Sequence, residues 1–260
     1  MPKTVLSADG TTIEYDLIGD GPAIILVAAA MNLRGSNQEL ADQLATSGYT
    51  VLNYDRRARG GSTDAAPLAE YDLNRELEDL AALVDVVGGS AALFGSSSGA
   101  ALCLYAAAQG LSVPSLALWE IPLSPEPPDG GAAMKQLRQL IVAGDMEGAL
   151  EFYMRDMPPE WLAGAKSSPY WEPMKAMAPS LGYDLAALDW TRSAPLPQLL
   201  GDVRTPTLVL MGQHTLPLFP AAAEALVQAM PDARSVTIPG SNHGWDTSAL
   251  VAQLSGFVTA

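Results

Sequence analysis

The sequence predicts an α/β fold with a mostly parallel sheet covered by helices on both faces. Three observations lead there. Short apolar runs alternate with runs whose apolar residues recur at helical spacing, the pattern of strands joined by crossover helices. Several of the apolar runs, Ala23-Ile24-Ile25-Leu26-Val27 foremost, have no polar face, as strands buried on both sides require. The chain has 260 residues, enough for one α/β domain of ordinary size with a large core.

The elements follow in order. Residues 12–17 alternate like a half-exposed strand, with Ile13, Tyr15 and Leu17 on one face, and Gly19-Asp20-Gly21-Pro22 turns the chain. The run at 23–27 is the first buried strand. A polar helix over about 38–46 leads to a second, Thr50-Val51-Leu52-Asn53-Tyr54-Asp55. Leu73, Leu77, Leu80 and Val84 mark a helix that Gly88-Gly89 ends. Ala91-Ala92-Leu93-Phe94 is a short strand, followed by Gly95-Ser96-Ser97-Ser98-Gly99 and a helix from Ala100 to Gln109, closed at Gly110. Val113 to Trp119 is a further strand, broken early by Pro114. The alternation resumes at Thr207-Leu208-Val209-Leu210-Met211, then a helix over about 220–230, a strand Ser235-Val236-Thr237-Ile238, and a last helix with Leu250, Leu254 and Phe257 in register.

Between Ile121 and Val203 the alternation stops. A Pro-rich linker, residues 122–128, opens the segment, and short helices are expected at about 132–142, 146–155, 159–165, 170–178 and 183–190. The predicted organisation is a core domain of residues 1–121 and 203–260 carrying a helical cap, 122–202, over the sheet edge. The cap holds Met134, Met146, Met154, Met157, Met174 and Met177, with Trp161, Trp171 and Trp190. Such residues pack a core or form an adaptable apolar wall. Both readings stay open, and Met31, Trp161 and Trp171 are the candidate substrate contacts.

Composition narrows the classes. Lys and Arg number 14 against 29 Asp and Glu, a net charge of −15, which disfavours nucleic acid and anionic membranes as partners. The single Cys103 excludes an internal disulfide and a cysteine-based zinc site. The longest apolar run, 23–31, is too short to span a bilayer. Met1-Pro2-Lys3 runs into strand-like sequence with no signal peptide, so a cytoplasmic location is the expectation. No residue pattern calls for a metal or organic cofactor, and none fixes an oligomeric state.

The pentapeptide at 95–99 carries the chemistry. A strand, Gly-x-Ser-x-Gly and a helix form a nucleophile elbow, a turn so sharp that the central residue, Ser97, stands exposed above the sheet. A serine hydroxyl needs a base in hydrogen-bond reach. The chain has two histidines, His214 and His243, and His243 sits in a Gly/Ser/Asn loop after a strand. His214 reads as a structural loop residue.

Four signatures in order resemble the α/β-hydrolase superfamily over nearly the whole chain. They are the apolar strand with its loop Val27-Ala28-Ala29-Ala30-Met31, the turn Asp55-Arg56-Arg57-Ala58-Arg59-Gly60-Gly61-Ser62, the elbow, and Gly240-Ser241-Asn242-His243-Gly244. The second is similar to the family's D-x-R-G-x-G-x-S, with Ala58 in place of the first glycine. The resemblance implies a mostly parallel eight-stranded sheet, a cap after the sixth strand, Ser97 as nucleophile and His243 as base. The family's usual acid, a few residues after the seventh strand, is replaced here by Thr215. Some members place the acid at the end of the sixth strand, where this chain has Glu120; Asp246 and a dyad without acid are the alternatives. The family's oxyanion hole is made of the N–H after the nucleophile, here Ser98, and one in the loop after Val27, by alignment Ala30, with Ala29 and Met31 as near alternatives. Ala28-Ala29 replaces the frequent His-Gly. Asp55 and Arg59 read as holding a tight turn.

The expected activity is that of a serine hydrolase acting through an acyl-enzyme on an ester, lactone or thioester of a small to medium lipophilic molecule. Within the superfamily, Ser97 argues against dehalogenases and epoxide hydrolases, which use Asp as nucleophile. Perhydrolases and C–C hydrolases share the serine triad and stay open. So does a ligand-binding or pathway-accessory protein on a degenerate scaffold, which the missing Asp motivates.

Overall fold

The computed structural model describes residues 2–65, 71–124, 126 and 129–258. Of the Pro-rich linker, Pro125, Pro127 and Pro128 lie outside the described residues. The described residues form one nine-stranded sheet: β1 (Lys3–Leu6), β2 (Thr12–Ile18), β3 (Ala23–Val27), β4 (Thr50–Tyr54), β5 (Ala92–Ser96), β6 (Leu116–Trp119), β7 (Thr207–His214), β8 (Ala233–Ser241) and β9 (Gly244–Trp245). Their spatial order is β1-β2-β4-β3-β5-β6-β7-β8-β9. From β4 to β8 the pairs are parallel, while β1, β2 and β9 run antiparallel to their neighbours. The eight strands implied by the resemblance are β1–β8. The ninth, two residues long, is an addition that folds back beside β8.

The strands separate their side chains between two cores, as a pleat of period two requires. Ile25, Val27, Leu116, Leu118 and Val209 face α2 (Leu73–Val86), α3 (Ser98–Ala108) and α10 (Leu218–Ala229). Ile24, Leu26, Ala117, Trp119, Leu208 and Leu210 face α1 (Gln38–Thr46) and α11 (Thr247–Phe257) on the other side. The uninterrupted apolar runs thus follow from a sheet covered twice. Pro114, which has no N–H to donate, leaves the sixth strand to begin at Leu116.

Between β6 and β7 lie α4 (Ala132–Val142), α5 (Met146–Met154), α6 (Pro159–Ser167), α7 (Trp171–Met177), α8 (Leu181–Trp190) and α9 (Leu196–Leu200). The first five match the sequence reading closely; α9 is new. The insertion is not packed as one unit. Leu137, Ile141, Leu150, Trp171 and Leu181 form their own cluster, against which Ala30 and Met31 pack. Ala187 and Leu200 belong instead to the sheet core, with Leu188 and Leu196 against it. Helix α8 therefore spans the seam between insertion and sheet. Among the described residues no helix is long and apolar enough to cross a membrane.

The strand order reverses at β3, whose neighbours β4 and β5 are reached by chains leaving in opposite directions. A crevice forms at the carboxyl ends of the strands at such a switch point.

Candidate active site

Among the described residues, six that are not glycine have positive φ: Met31, Ala58, Ser97, Glu120, Asn242 and His243. All six lie just beyond the carboxyl ends of strands, after β3, β4, β5, β6 and β8 respectively, the last two together. L-residues avoid this region for steric reasons. Strain of this kind persists only where the surroundings impose it, and it gathers at functional sites.

Ser97 links β5 to α3 at φ 54° and ψ −121°. Its amide donates to the Trp119 carbonyl at 2.9 Å. Two glycines permit the turn. A Cβ on Gly95 would lie 2.5 Å from the Gly99 carbonyl oxygen, and one on Gly99 would lie 2.4 Å from the Val27 oxygen and 2.7 Å from that of Ala28. The first turn of α3 is therefore pressed against the end of β3. Ser97 is half-buried between buried neighbours.

Glu120 follows β6 with φ 41°, its amide still bound to the Leu210 carbonyl of β7 at 3.0 Å. The residue is 3% exposed. Oε1 accepts the Gly212 amide at 2.9 Å and the Thr215 hydroxyl, and Oε2 lies 2.6 Å from His243 Nδ1. Burial alone would push this carboxyl up. The hydrogen bonds from His243, Thr215 and Gly212 outweigh it and hold the pKa below the ordinary value. An ionised carboxylate only accepts, so Nδ1 carries the shared proton and Nε2 is left as an acceptor. The imidazole stacks on Phe219 (centroids 5.0 Å apart, planes at 10°) and on Trp161 of α6 (6.0 Å, 26°). Trp119 Nε1 donates to the His243 carbonyl at 3.0 Å, which ties the histidine loop to β6.

The turn after β4 divides its charges. Asp55 accepts the Arg34 amide at 2.8 Å and its guanidinium, and the Gly61 amide at 3.2 Å, so it holds the turn as expected. Arg59 does more: it donates to the Ala29 carbonyl at 2.7 Å, to Ser180 Oγ at 2.9 Å and to Asp184 of α8 at 2.5 Å. Arg56 grips Glu76 with two hydrogen bonds of 2.7 and 2.6 Å and reaches Asp184 at 2.6 Å. Ser98 Oγ donates to Asp184 at 2.7 Å. Asp184 is fully buried. Desolvation opposes its charge, but Arg59, Arg56 and Ser98 together lower its pKa.

The residues singled out in the sequence are distributed as follows. Glu120 and His243 are joined. Ser97 stands at the elbow, and among the described residues its hydroxyl makes no hydrogen bond. Ser98 opens α3, so its N–H has no intrahelical acceptor. Ala30 and Met31 lie half-buried under the insertion. Trp161 meets His243, but Trp171 is buried in the insertion's own cluster, beneath Lys166, and serves packing there. His214 is exposed. Asp246 caps α11 by accepting the Ala249 amide at 2.8 Å, which occupies it elsewhere. Cys103 is buried, and burial pushes its thiol up, so it is no nucleophile. Among the described residues no group of three or more His, Cys, Asp or Glu is placed to hold a metal ion. Sequence reading missed Asp184 and Thr215 as partners. The signals were there: a carboxylate set within the otherwise apolar run from Leu181 to Leu188, and a hydroxyl where the family carries its acid.

Comparison with known proteins completes the description. A profile of the Alpha/beta hydrolase family matches residues 29–254. The uncharacterized hydrolase YraK of Bacillus subtilis (strain 168) is 34% identical over 100 residues, 38% of this chain and 36% of that protein. Epoxide hydrolase A of Mycobacterium tuberculosis is 32% identical over 111 residues, 39% of this chain and 34% of that one. The chain thus spans about a third of the length of these curated relatives. The crystal structure of an alpha/beta hydrolase from Sphaerobacter thermophilus DSM 20745 superposes with a TM-score of 0.89 at 36% identity, covering 99% of this chain and 100% of the other.

Proposed function

We propose that this chain, which belongs to the alpha/beta hydrolase family, is a serine hydrolase that cleaves an ester, lactone or thioester of a small to medium lipophilic molecule. The observation that carries this is the 2.6 Å bond between His243 Nδ1 and a buried Glu120, in a loop tied by Trp119 to β6, the strand that pairs with the elbow strand. In the proposed reaction Ser97 Oγ attacks the carbonyl carbon while its proton passes to His243 Nε2. Glu120 holds the imidazole tautomer and stabilises the imidazolium without taking its proton. The tetrahedral oxyanion is received by the N–H groups of Ser98 and Ala30, the first of them at the positive end of α3. Collapse expels the alcohol or thiol with the proton from His243. Water, deprotonated by the same imidazole, then releases the acid.

The insertion acts as a cap in this reading, with Trp161 and Met31 offering the apolar contacts. An aspartate nucleophile, as in the epoxide hydrolases of this superfamily, has no counterpart at position 97. The accessory-protein reading rested on the missing acid after the seventh strand. Glu120, with Thr215 donating to it, removes that motive.

The test is labelling with a fluorophosphonate probe together with turnover of a panel of short- to long-chain aryl esters and lactones. Stoichiometric labelling of the wild type, lost in Ser97→Ala, is the expected result. A folded wild type that takes no label and turns over no member of the panel overturns the reading.

A further inference from the structure

Asp184 has no place in the reaction just described, yet it is the point where the insertion meets both proposed halves of the oxyanion hole. It lies on α8 and is fully buried. Oδ1 accepts Ser98 Oγ at 2.7 Å and Arg56 Nη1 at 2.6 Å, and Oδ2 accepts Arg59 Nη2 at 2.5 Å. With Glu76 on the far side of Arg56, two carboxylates balance two guanidiniums, all out of water.

The geometry of the peptide unit gives this cluster its consequence. Arg59 Nη1 holds the Ala29 carbonyl at 2.7 Å. The Ala29 carbonyl and the Ala30 N–H belong to one planar trans unit and point in opposite directions. Fixing the oxygen on Arg59 therefore aims the Ala30 N–H away from Arg59. Arg56 steadies the preceding unit through the Ala28 carbonyl at 3.3 Å. The loop itself is strained, with Met31 at φ 61°, and its peptide needs such support to keep one orientation. The other proposed donor, the Ser98 N–H, belongs to the residue whose hydroxyl Asp184 holds.

Resting on the serine-hydrolase reading, we infer that Asp184 is a positioning residue that sets both oxyanion donors from the cap. It does so by orienting the Ala29–Ala30 peptide through Arg59 and anchoring Ser98 directly. Seating of α8 on the core then becomes a condition for a complete oxyanion hole, and a cap that lifts at α8 loses catalysis before it loses Ser97, His243 or Glu120.

The experiment uses full-length protein and an aryl ester that the wild type cleaves, with kcat, KM, fluorophosphonate labelling rate and Tm measured for Asp184→Asn and Ser98→Ala. Removing one oxyanion donor costs about 10²- to 10³-fold in kcat. Asp184→Asn is expected to lower kcat by about 100-fold with KM within about threefold, and to slow labelling in parallel, with the pH profile of kcat/KM unmoved because the histidine pair is untouched. A merely structural role lowers Tm and leaves kcat per folded molecule and the labelling rate alone. Stripping two buried guanidiniums of a shared carboxylate threatens folding, so Ser98→Ala, which removes a hydroxyl but keeps the N–H, decides the matter if Asp184→Asn does not fold. It is expected to lose roughly tenfold in kcat, part of one donor's contribution. Folded variants with kcat within twofold of wild type overturn the role of Asp184 alone. A wild type that neither labels nor turns over ester overturns the hydrolase reading and this inference with it.

Discussion

Glu120 and Asp184 are both buried carboxylates held below their ordinary pKa, and their partners make them different devices. Glu120 faces an imidazole, a backbone amide and a hydroxyl. Asp184 faces two guanidiniums and a hydroxyl. A neutral imidazole has a ring nitrogen that can accept a proton, whereas a guanidinium has no acceptor. The same buried charge is therefore coupled to a proton in one region and to a fixed frame in the other. Residue type does not separate them; the titratable character of the partner does.

Substitutions at the two sites should separate chemistry from scaffold. Glu120→Gln keeps shape and hydrogen-bonding capacity but leaves the imidazolium uncompensated, so kcat should drop on the order of 10⁴-fold with circular dichroism unchanged. Near-normal turnover would dissolve the distinction. Asp184→Asn should lower kcat by about 100-fold, a smaller drop than in Glu120→Gln, and add a loss of about 3–5 kcal/mol in denaturant unfolding, the cost of breaking a buried ion pair from one side.

Acid should report on both sites. Each carboxylate has a folded pKa below its unfolded one, 3.8 for Asp184 and 4.5 for Glu120 as ordinary values. Its contribution to stability is complete above that ordinary value and is lost as pH falls through the lower folded one. Unfolding free energies taken from about pH 5 down to about pH 2 should therefore decline less steeply in Asp184→Asn than in wild type. An equal slope would mean that Asp184 is no more acidic folded than unfolded.

Smaller changes sharpen the contrast. Thr215→Val removes one donor from Glu120 and should cost roughly tenfold in kcat, about 1.4 kcal/mol, a loss well short of that in Glu120→Gln. Ala58 holds a left-handed conformation at φ 60° where the family motif has glycine. Ala58→Gly should raise stability by about 1 kcal/mol, the steric cost relieved, and leave turnover unchanged in an ester assay.

Much of this was legible beforehand. The helices read at 132–142 and 146–155, the strands at 23–27 and 50–55, and the elbow follow from local signals, and the structure places the corresponding elements within a residue of those bounds. Glu120 was legible as a carboxylate ending an apolar strand. Trp161 and Trp171 were not separable in sequence: both are tryptophans in short helices, and only packing sends one to His243 and the other into the insertion's core. The seam at α8 was hidden as well, since its apolar residues serve two cores and periodicity does not say which.

By itself the sequence determined the α/β alternation, the serine at a strand–helix turn and the short choice of bases and acids. These depend on near neighbours: two glycines that admit a sharp turn, apolar runs that require two covered faces, two histidines in the chain. Only the tertiary structure decided that Glu120 reaches His243, 123 residues away, that Thr215 supports it, and that Asp184 ties the insertion to Ser98 across 86 residues. The physical reason is that a buried charge is tolerable only beside its partners, and those partners come from strands and helices that meet only once the sheet has ordered them.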